Sequence, residues 1–185
     1  MQTDRKEALR YLGLGKHEPD PETERLLEEC IREAERAAEF RHLVREYPLS
    51  VEEDGTIDGG CFRTKSANLK KNLSGCDSVL VMAVTVGAEV DRLLARYGKL
   101  SVAKAVVMQA AAVEAYCNEL NAMWKKEYLE KGLYLRPRFS PGYGDFPLSA
   151  QKQILDGLEA GKRIGITLTE GYLMMPSKSV TAVIG

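Results

Sequence analysis

Histidine is scarce in this chain: His17 and His42 are the only two among 185 residues, and neither has a nearby cysteine or histidine partner. No metal site is predicted from such a set. A Ser-His-Asp or Cys-His mechanism would have to use one of the two, and both lie in charged sequence read as exposed helix or linker, which argues against hydrolytic catalysis of that kind. The cysteines, Cys30, Cys61, Cys76 and Cys117, match no zinc or redox spacing and are expected to be reduced, mostly buried thiols. Neither G-x-G-x-x-G nor G-x-x-x-x-G-K-[ST] occurs, so nucleotide binding by the familiar Gly-rich loops is not expected. Long apolar runs are missing too. Val79 to Val84 falls far short of the roughly 20 residues that cross a bilayer, and the N-terminus opens Gln-Thr-Asp-Arg-Lys-Glu in place of an apolar signal region. A cytoplasmic location without a membrane partner is the expectation. The formal net charge is −1, with acids and bases interspersed, which leaves no footprint for nucleic acid.

What is present is the balance of a folded protein, 44% hydrophobic and 29% charged. One substantial core is expected, as a single domain over 1–185 with an N-terminal helical segment at 1–50 and a core at 51–185. Lys6 to Leu14 reads as a short helix. Asp20-Pro21-Glu22 reads as an N-cap, a first-turn proline and a dipole-compatible acid, opening an amphipathic helix that reaches about Arg45. Val44–Val51 and Thr56–Phe62 flank a Glu-Glu-Asp-Gly turn signal and predict a hairpin. Lys65–Leu73 is a short helix. Ser78–Val84 has the near-continuous apolar character of a central strand covered on both faces, and Ala88–Tyr97 then forms a helix ending at Gly98. The Thr85-Val86-Gly87 junction between them leaves N–H groups where an anion could sit, as most such junctions do without binding anything.

Ser101 is a good N-cap for the longest helix, with Val106, Ala110, Val113, Cys117, Leu120 and Trp124 alternating at spacings of four and three. Glu114 arrives at the edge of its apolar half and has two readings: a ligand contact, or part of a solvated stripe with Asn118, Asn121 and Lys125. Leu148–Leu158 predicts another helix, closed by Gly161. Ile164, Ile166 and Leu168 alternate as a half-buried strand, Thr169 to Pro176 is irregular, and Ser179–Ile184 is a final strand. Helices and hairpins with few βαβ units predict an α+β fold, a twisted, largely antiparallel sheet with helices packed on it.

The segment Arg136-Pro-Arg138-Phe-Ser-Pro141-Gly142-Tyr143-Gly144-Asp145-Phe-Pro-Leu148 brings arginine, tyrosine, a carboxylate and two glycines into one turn-rich stretch. Its prolines restrict the backbone, while Gly142 and Gly144 permit positive φ and a close approach by a bound molecule. Read alone, it is either a ligand cradle or an ordinary Pro- and Gly-rich surface turn.

Three linked motifs go further. Arg138-Phe-Ser-Pro141-Gly142-Tyr143 is followed by Gly165-Ile-Thr-Leu-Thr-Glu170 and by Met175-Pro176-Ser-Lys-Ser179-Val180. In that order they resemble the activation domain of cobalamin-dependent methionine synthase, strongly over about the last fifty residues and more weakly through Glu114 and its helix. The resemblance implies that domain's fold and S-adenosylmethionine binding in support of reductive methylation, which restores a synthase whose cobalamin has oxidised to cob(II). Arg138 matches the family arginine that contacts the ligand, and a guanidinium fork suits an amino-acid carboxylate. Glu114 matches a glutamate beside the ligand and could meet its ammonium. Tyr143 could lie near the sulfonium, and Pro141 and Gly142 would hold the loop.

No catalytic acid or base is implied, because reduced cobalamin is itself the nucleophile and the sulfonium an activated methyl donor, so this chain's part is to bind and orient. The chain departs from the family in three ways. The loop reads Gly142-Tyr143-Gly144-Asp145-Phe146 in place of Gly-Tyr-Pro-Ala-Cys. Val183-Ile184-Gly185 stands where an aromatic pair is expected. No cobalamin-binding Asp-x-His-x-x-Gly is present. The expectation is therefore a stand-alone reactivation subunit acting in trans on a cobalamin-loaded methionine synthase, with a reductase or flavodoxin-like electron donor. The alternative is a docking or scaffold module for a corrinoid protein that has lost S-adenosylmethionine binding.

Overall fold

The computed structural model describes residues 19–98 and 102–185, and for most of the first half of the longest helix it describes the backbone alone. The helix expected at Lys6–Leu14, His17 and the cap at Ser101 lie outside the described residues. Asp20 does cap the first helix, α1 (Pro21–Ala37), its carboxylate accepting from the Glu22 and Thr23 N–H groups at 3.0 and 2.9 Å.

That helix ends well before Arg45. Arg41–Pro48 is instead a strand, β1, paired antiparallel with β5 (Ser78–Thr85) from Arg41↔Thr85 to Pro48↔Ser78. Helical spacing was a misleading guide here because Leu43 and Tyr47 pack against the core from a strand paired with β5. The N-terminal 50 residues therefore contribute an edge strand as well as a helix. The expected hairpin survives only as β2 (Ser50–Val51) against β3 (Ile57–Asp58), which pairs in turn with β4 (Arg63–Thr64).

The main sheet runs β1-β5-β8, all antiparallel, with β8 (Ser179–Ile184) on the far side of β5. From Val79 to Thr85 every residue of β5 is buried. Period-two geometry sends Val79, Val81 and Ala83 to one face and Leu80, Met82 and Val84 to the other. The first set packs with Leu69 and Leu73 at α2 (Ala67–Asn72), with Ile154 and Leu155 of α5 (Ala150–Gly157), and with Phe62, Phe146 and Leu158. The second set meets Cys117, Leu120 and Trp124 of α4 (Val102–Glu130). The third helix, α3 (Ala88–Gly98), follows β5 as expected, and its Val90 joins Val86 in a small cluster with Phe40 and Val113. The sheet is thus covered on both faces, and burying each large aliphatic chain contributes about 1.5–3 kcal/mol.

Beyond the turn-rich loop the helix expected over Leu148–Leu158 is α5, and a second, shorter helix follows it. Glu159, in the left-handed region at φ 53°, turns the chain from α5 into α6 (Ala160–Ile164). Ile164 therefore closes a helix and does not open a strand. Strand β6 is only Thr167–Leu168, and it pairs with β7 (Met174–Met175) across what reads in sequence as an irregular connection. The architecture is α+β, an antiparallel sheet with packed helices. Among the described residues no helix is long and apolar enough to cross a membrane.

Candidate functional site

The turn-rich loop runs along β8 and α2, tied to both. The Phe139 N–H donates to the Val183 carbonyl at 2.9 Å and receives the reciprocal bond, so the loop extends the sheet by one bridge beyond β8. Just before it, the Arg136 N–H reaches the Gly185 carbonyl at 2.7 Å, and the Arg136 guanidinium donates to the Ser74 carbonyl at 2.8 Å. From α2, Asn72 Nδ2 donates to the Pro137 carbonyl at 3.3 Å. These contacts turn a Pro- and Gly-rich stretch into a fixed ledge beside the long helix.

Arg138 lies partly buried on that ledge, and its Nη2 donates to Asn118 Oδ1 on α4 at 2.8 Å. A charge-assisted hydrogen bond of this length fixes the plane of the guanidinium. The polar stripe of α4 therefore includes a residue that meets the loop. Sequence reading offered Asn118 only as part of a solvated stripe with Glu114, Asn121 and Lys125, one of two readings, and the available signal was its position four residues after Glu114. The backbone of Glu114 lies on α4, but its side chain is outside the described ones. Asn121, three residues after Asn118, has its Oδ1 buried with no hydrogen-bond partner.

Pro141 is buried and Gly142 exposed. Gly142 adopts φ 93°, a region that favours glycine, and its N–H donates to the Phe146 carbonyl at 2.8 Å, closing a tight turn around Tyr143. Tyr143 is 68% exposed at the tip. Its N–H donates to the Ser140 carbonyl at 3.2 Å, so the backbone is held while the ring is exposed.

The carboxylate of the loop is engaged within the protein. Asp145 accepts from the Ser66 hydroxyl, from the Ala67 N–H at 2.6 Å and from the Asn68 N–H at 3.1 Å. The Ser66 hydroxyl bond, followed by the two backbone bonds, holds its carboxyl below the ordinary aspartate range. Phe146 is 1% exposed and lies between Phe62 and Phe139, with ring centroids 5.9 and 6.3 Å away.

A separate cavity of about 600 Å³ lies between α5, α6 and the β6–β7 hairpin, with Leu155, Ile166, Leu168, Glu170 and Tyr172 in its lining. The Leu-Thr-Glu motif borders it, and it shares no lining residue with the loop. The ledge carries two hydrogen-bonded guanidinium groups, Arg136 and Arg138, and an exposed aromatic ring. His42 takes no part in either place; its Nδ1 lies 2.7 Å from the Tyr116 hydroxyl, and burial pushes its pKa down. Cys61 and Cys76 are partly buried free thiols and Cys117 is fully buried. Among the described residues no cluster of three or more His, Cys, Asp or Glu could hold a metal ion.

Comparison with known proteins places these features in a family. Residues 67–185 match the model described as "Vitamin B12 dependent methionine synthase, activation domain". That match begins at the first residue of α2, the helix to which the loop is tied. Among solved structures the chain is similar to the MetH reactivation domain bound to AdoHcy, with 22% sequence identity, a TM-score of 0.70, and coverage of 98% of this chain and 73% of that one. Comparison with curated proteins gives no match. The chain belongs to the vitamin B12-dependent methionine synthase activation domain family.

Proposed function

We propose that this chain binds S-adenosylmethionine on the Arg138–Tyr143 ledge and supports reductive methylation of the cobalamin carried by a separate B12-dependent methionine synthase. The observation that carries the reading is the Arg138 guanidinium, oriented by Asn118 beside the tight turn at Gly142. A planar guanidinium fork held in place by Asn118 fits the ligand's carboxylate. The exposed Tyr143 ring suits a cationic sulfonium or a flat base. The AdoHcy held by the similar reactivation domain is the demethylated form of the same ligand, which supports the class of molecule proposed.

When bound, S-adenosylmethionine would supply the activated methyl group, received by the partner's reduced cobalamin with one electron from a reductase or flavodoxin-like donor. This chain's residues bind and orient. Arg138 fixes the amino-acid end, the Pro141–Gly142 turn sets the height of the ring, and Glu114 is the proposed partner of the ligand's ammonium. No proton transfer is assigned to any side chain.

Calorimetric titration with S-adenosylmethionine should show saturable binding, weakened about ten- to a hundredfold by Arg138→Ala through loss of a charged hydrogen-bonded pair worth roughly 1.5–3 kcal/mol. Unchanged affinity in that variant would remove Arg138 from the site, and no saturable binding by the wild type would favour the scaffold alternative. The activity itself is read by mixing the chain with a cobalamin-loaded synthase lacking its activation domain, a reductant and S-adenosylmethionine. Methylcobalamin formation should depend on the added chain, and an equal rate without it would overturn the reading.

A further inference from the structure

The second half of the loop, Gly144-Asp145-Phe146, takes on a definite role in the structure. Helix α2 begins at Ala67, and its first N–H groups have no partners within the helix. The Ser66 hydroxyl accepts the Leu69 N–H at 3.0 Å. Asp145, 78 and 77 residues away in sequence, accepts those of Ala67 and Asn68 and the Ser66 hydroxyl as well. A single carboxylate therefore completes the cap of one element while fixing another. At the opposite end of the same helix Asn72 holds the Pro137 carbonyl. The loop is fastened to α2 at both ends, and the residues between those fastenings are Arg138 to Gly144.

Gly144 fits this arrangement. It sits at φ 55°, a region that favours glycine, and a Cβ there would lie 2.5 Å from Asn68 Nδ2, so any side chain would require the Asn68 amide to move. Phe146, next after Asp145, enters the core at 1% exposure. Three consecutive residues thus give the close approach, the polar fastening and the apolar anchor. Tyr143 lies immediately before them, and its carbonyl accepts the Phe146 N–H at 3.0 Å.

We infer that Asp145 is a positioning residue that, by capping α2, holds the Tyr143 turn in its ligand-ready shape before any ligand arrives. The inference rests on the ligand reading above only in what Tyr143 is positioned for; the fastening itself is independent of it. A loop already ordered in the free protein loses less conformational freedom on binding, so removing the fastening should weaken binding without touching a contact atom.

The experiment has two arms on the full chain. In the first, amide hydrogen exchange of ligand-free Asp145→Ala is compared with wild type. Faster exchange is expected at the Ala67 and Asn68 amides and in peptides over 139–146, with β5 unchanged. Unaltered exchange in those peptides overturns the inference whether or not the chain binds S-adenosylmethionine. In the second arm, S-adenosylhomocysteine affinity is measured in a double-mutant cycle. Asp145→Ala should weaken binding about tenfold in the wild-type background and have little effect in the Tyr143→Ala background, because its action passes through that turn. A general loss of stability would weaken both backgrounds alike, and equal effects would overturn the positioning role. Asp145→Asn, which keeps one acceptor oxygen, should restore part of the affinity. Absence of any binding by the wild type would count against the proposed function, and the exchange arm would still decide the fastening.

Discussion

The two halves of the 136–148 loop share proline and glycine but carry opposite charge and meet opposite fates. In the first half, the Arg138 guanidinium is held by a hydrogen bond to Asn118 and the Tyr143 ring is 68% exposed. In the second half, Asp145 and Phe146 are engaged, one by three donors at the start of α2 and the other by the core at 1% exposure. A ligand-binding loop needs both conditions, since free groups on an unfastened loop would have to be ordered by the ligand at the expense of affinity. Function and stability are therefore separable along a stretch of a dozen residues, and substitutions can be chosen to strike one side alone.

The largest separation is expected from Phe146→Ala. Removing a buried ring that meets Phe62 and Phe139 should lower unfolding free energy by about 3–5 kcal/mol, read in a denaturant melt. A loss below about 1 kcal/mol would mean that the second half does not anchor the loop. Gly144→Ala comes next. It must adopt φ 55° beside Asn68, which costs roughly 1–2 kcal/mol for a residue with a Cβ, and a melt unaffected by this change would remove the close approach from the account.

Asn118→Ala should act on the first half with the opposite signature. Affinity for S-adenosylhomocysteine is expected to fall about three- to tenfold as the guanidinium loses its orientation, while melting changes by no more than about 0.5 kcal/mol, the usual range at an exposed site. A larger loss of stability than of binding would reverse that assignment.

The smallest effect is one of pH. The folded pKa of Asp145 is depressed by the Ser66 hydroxyl and then by the Ala67 and Asn68 N–H groups. Its stabilising contribution is therefore complete above the unfolded aspartate value near ~3.9 and is lost as pH falls through the folded value. Urea melts of wild type and Asp145→Asn should differ at pH 7 and converge below about pH 4. A difference that stays constant through that acid range would exclude the ionised carboxylate as the cause.

Much of the fold can be read without coordinates because it depends on local periodicity. The run Val79–Val84 gives a strand buried on both faces, Asp20 gives the first cap, and Cys117, Leu120 and Trp124 mark the buried side of the long helix. The reading failed where local preference met distant partners. Arg41–Pro48 carries enough charge to continue a helix, yet its backbone groups pair with β5. Ile164 alternates with Ile166 and Leu168 in sequence, but Glu159 redirects the chain into a short helix before a two-residue strand begins. Of the candidate site residues, Arg138, Pro141, Gly142 and Tyr143 lie on one ledge, while Asn118 escaped notice because an amide on a polar helical stripe is indistinguishable from solvated surface until something is seen to meet it.

By itself the sequence determined the class of fold, the family, and the loop on which to look, since motif order and apolar spacing are properties of the chain read in one dimension. The tertiary structure decided which distant groups that loop meets. Arg138 meets a residue 20 positions away and Asp145 meets residues nearly 80 away. No local pattern encodes such pairings, because they form only when packing of the sheet and its helices brings α2, α4 and the loop together and satisfies each other's hydrogen-bonding groups.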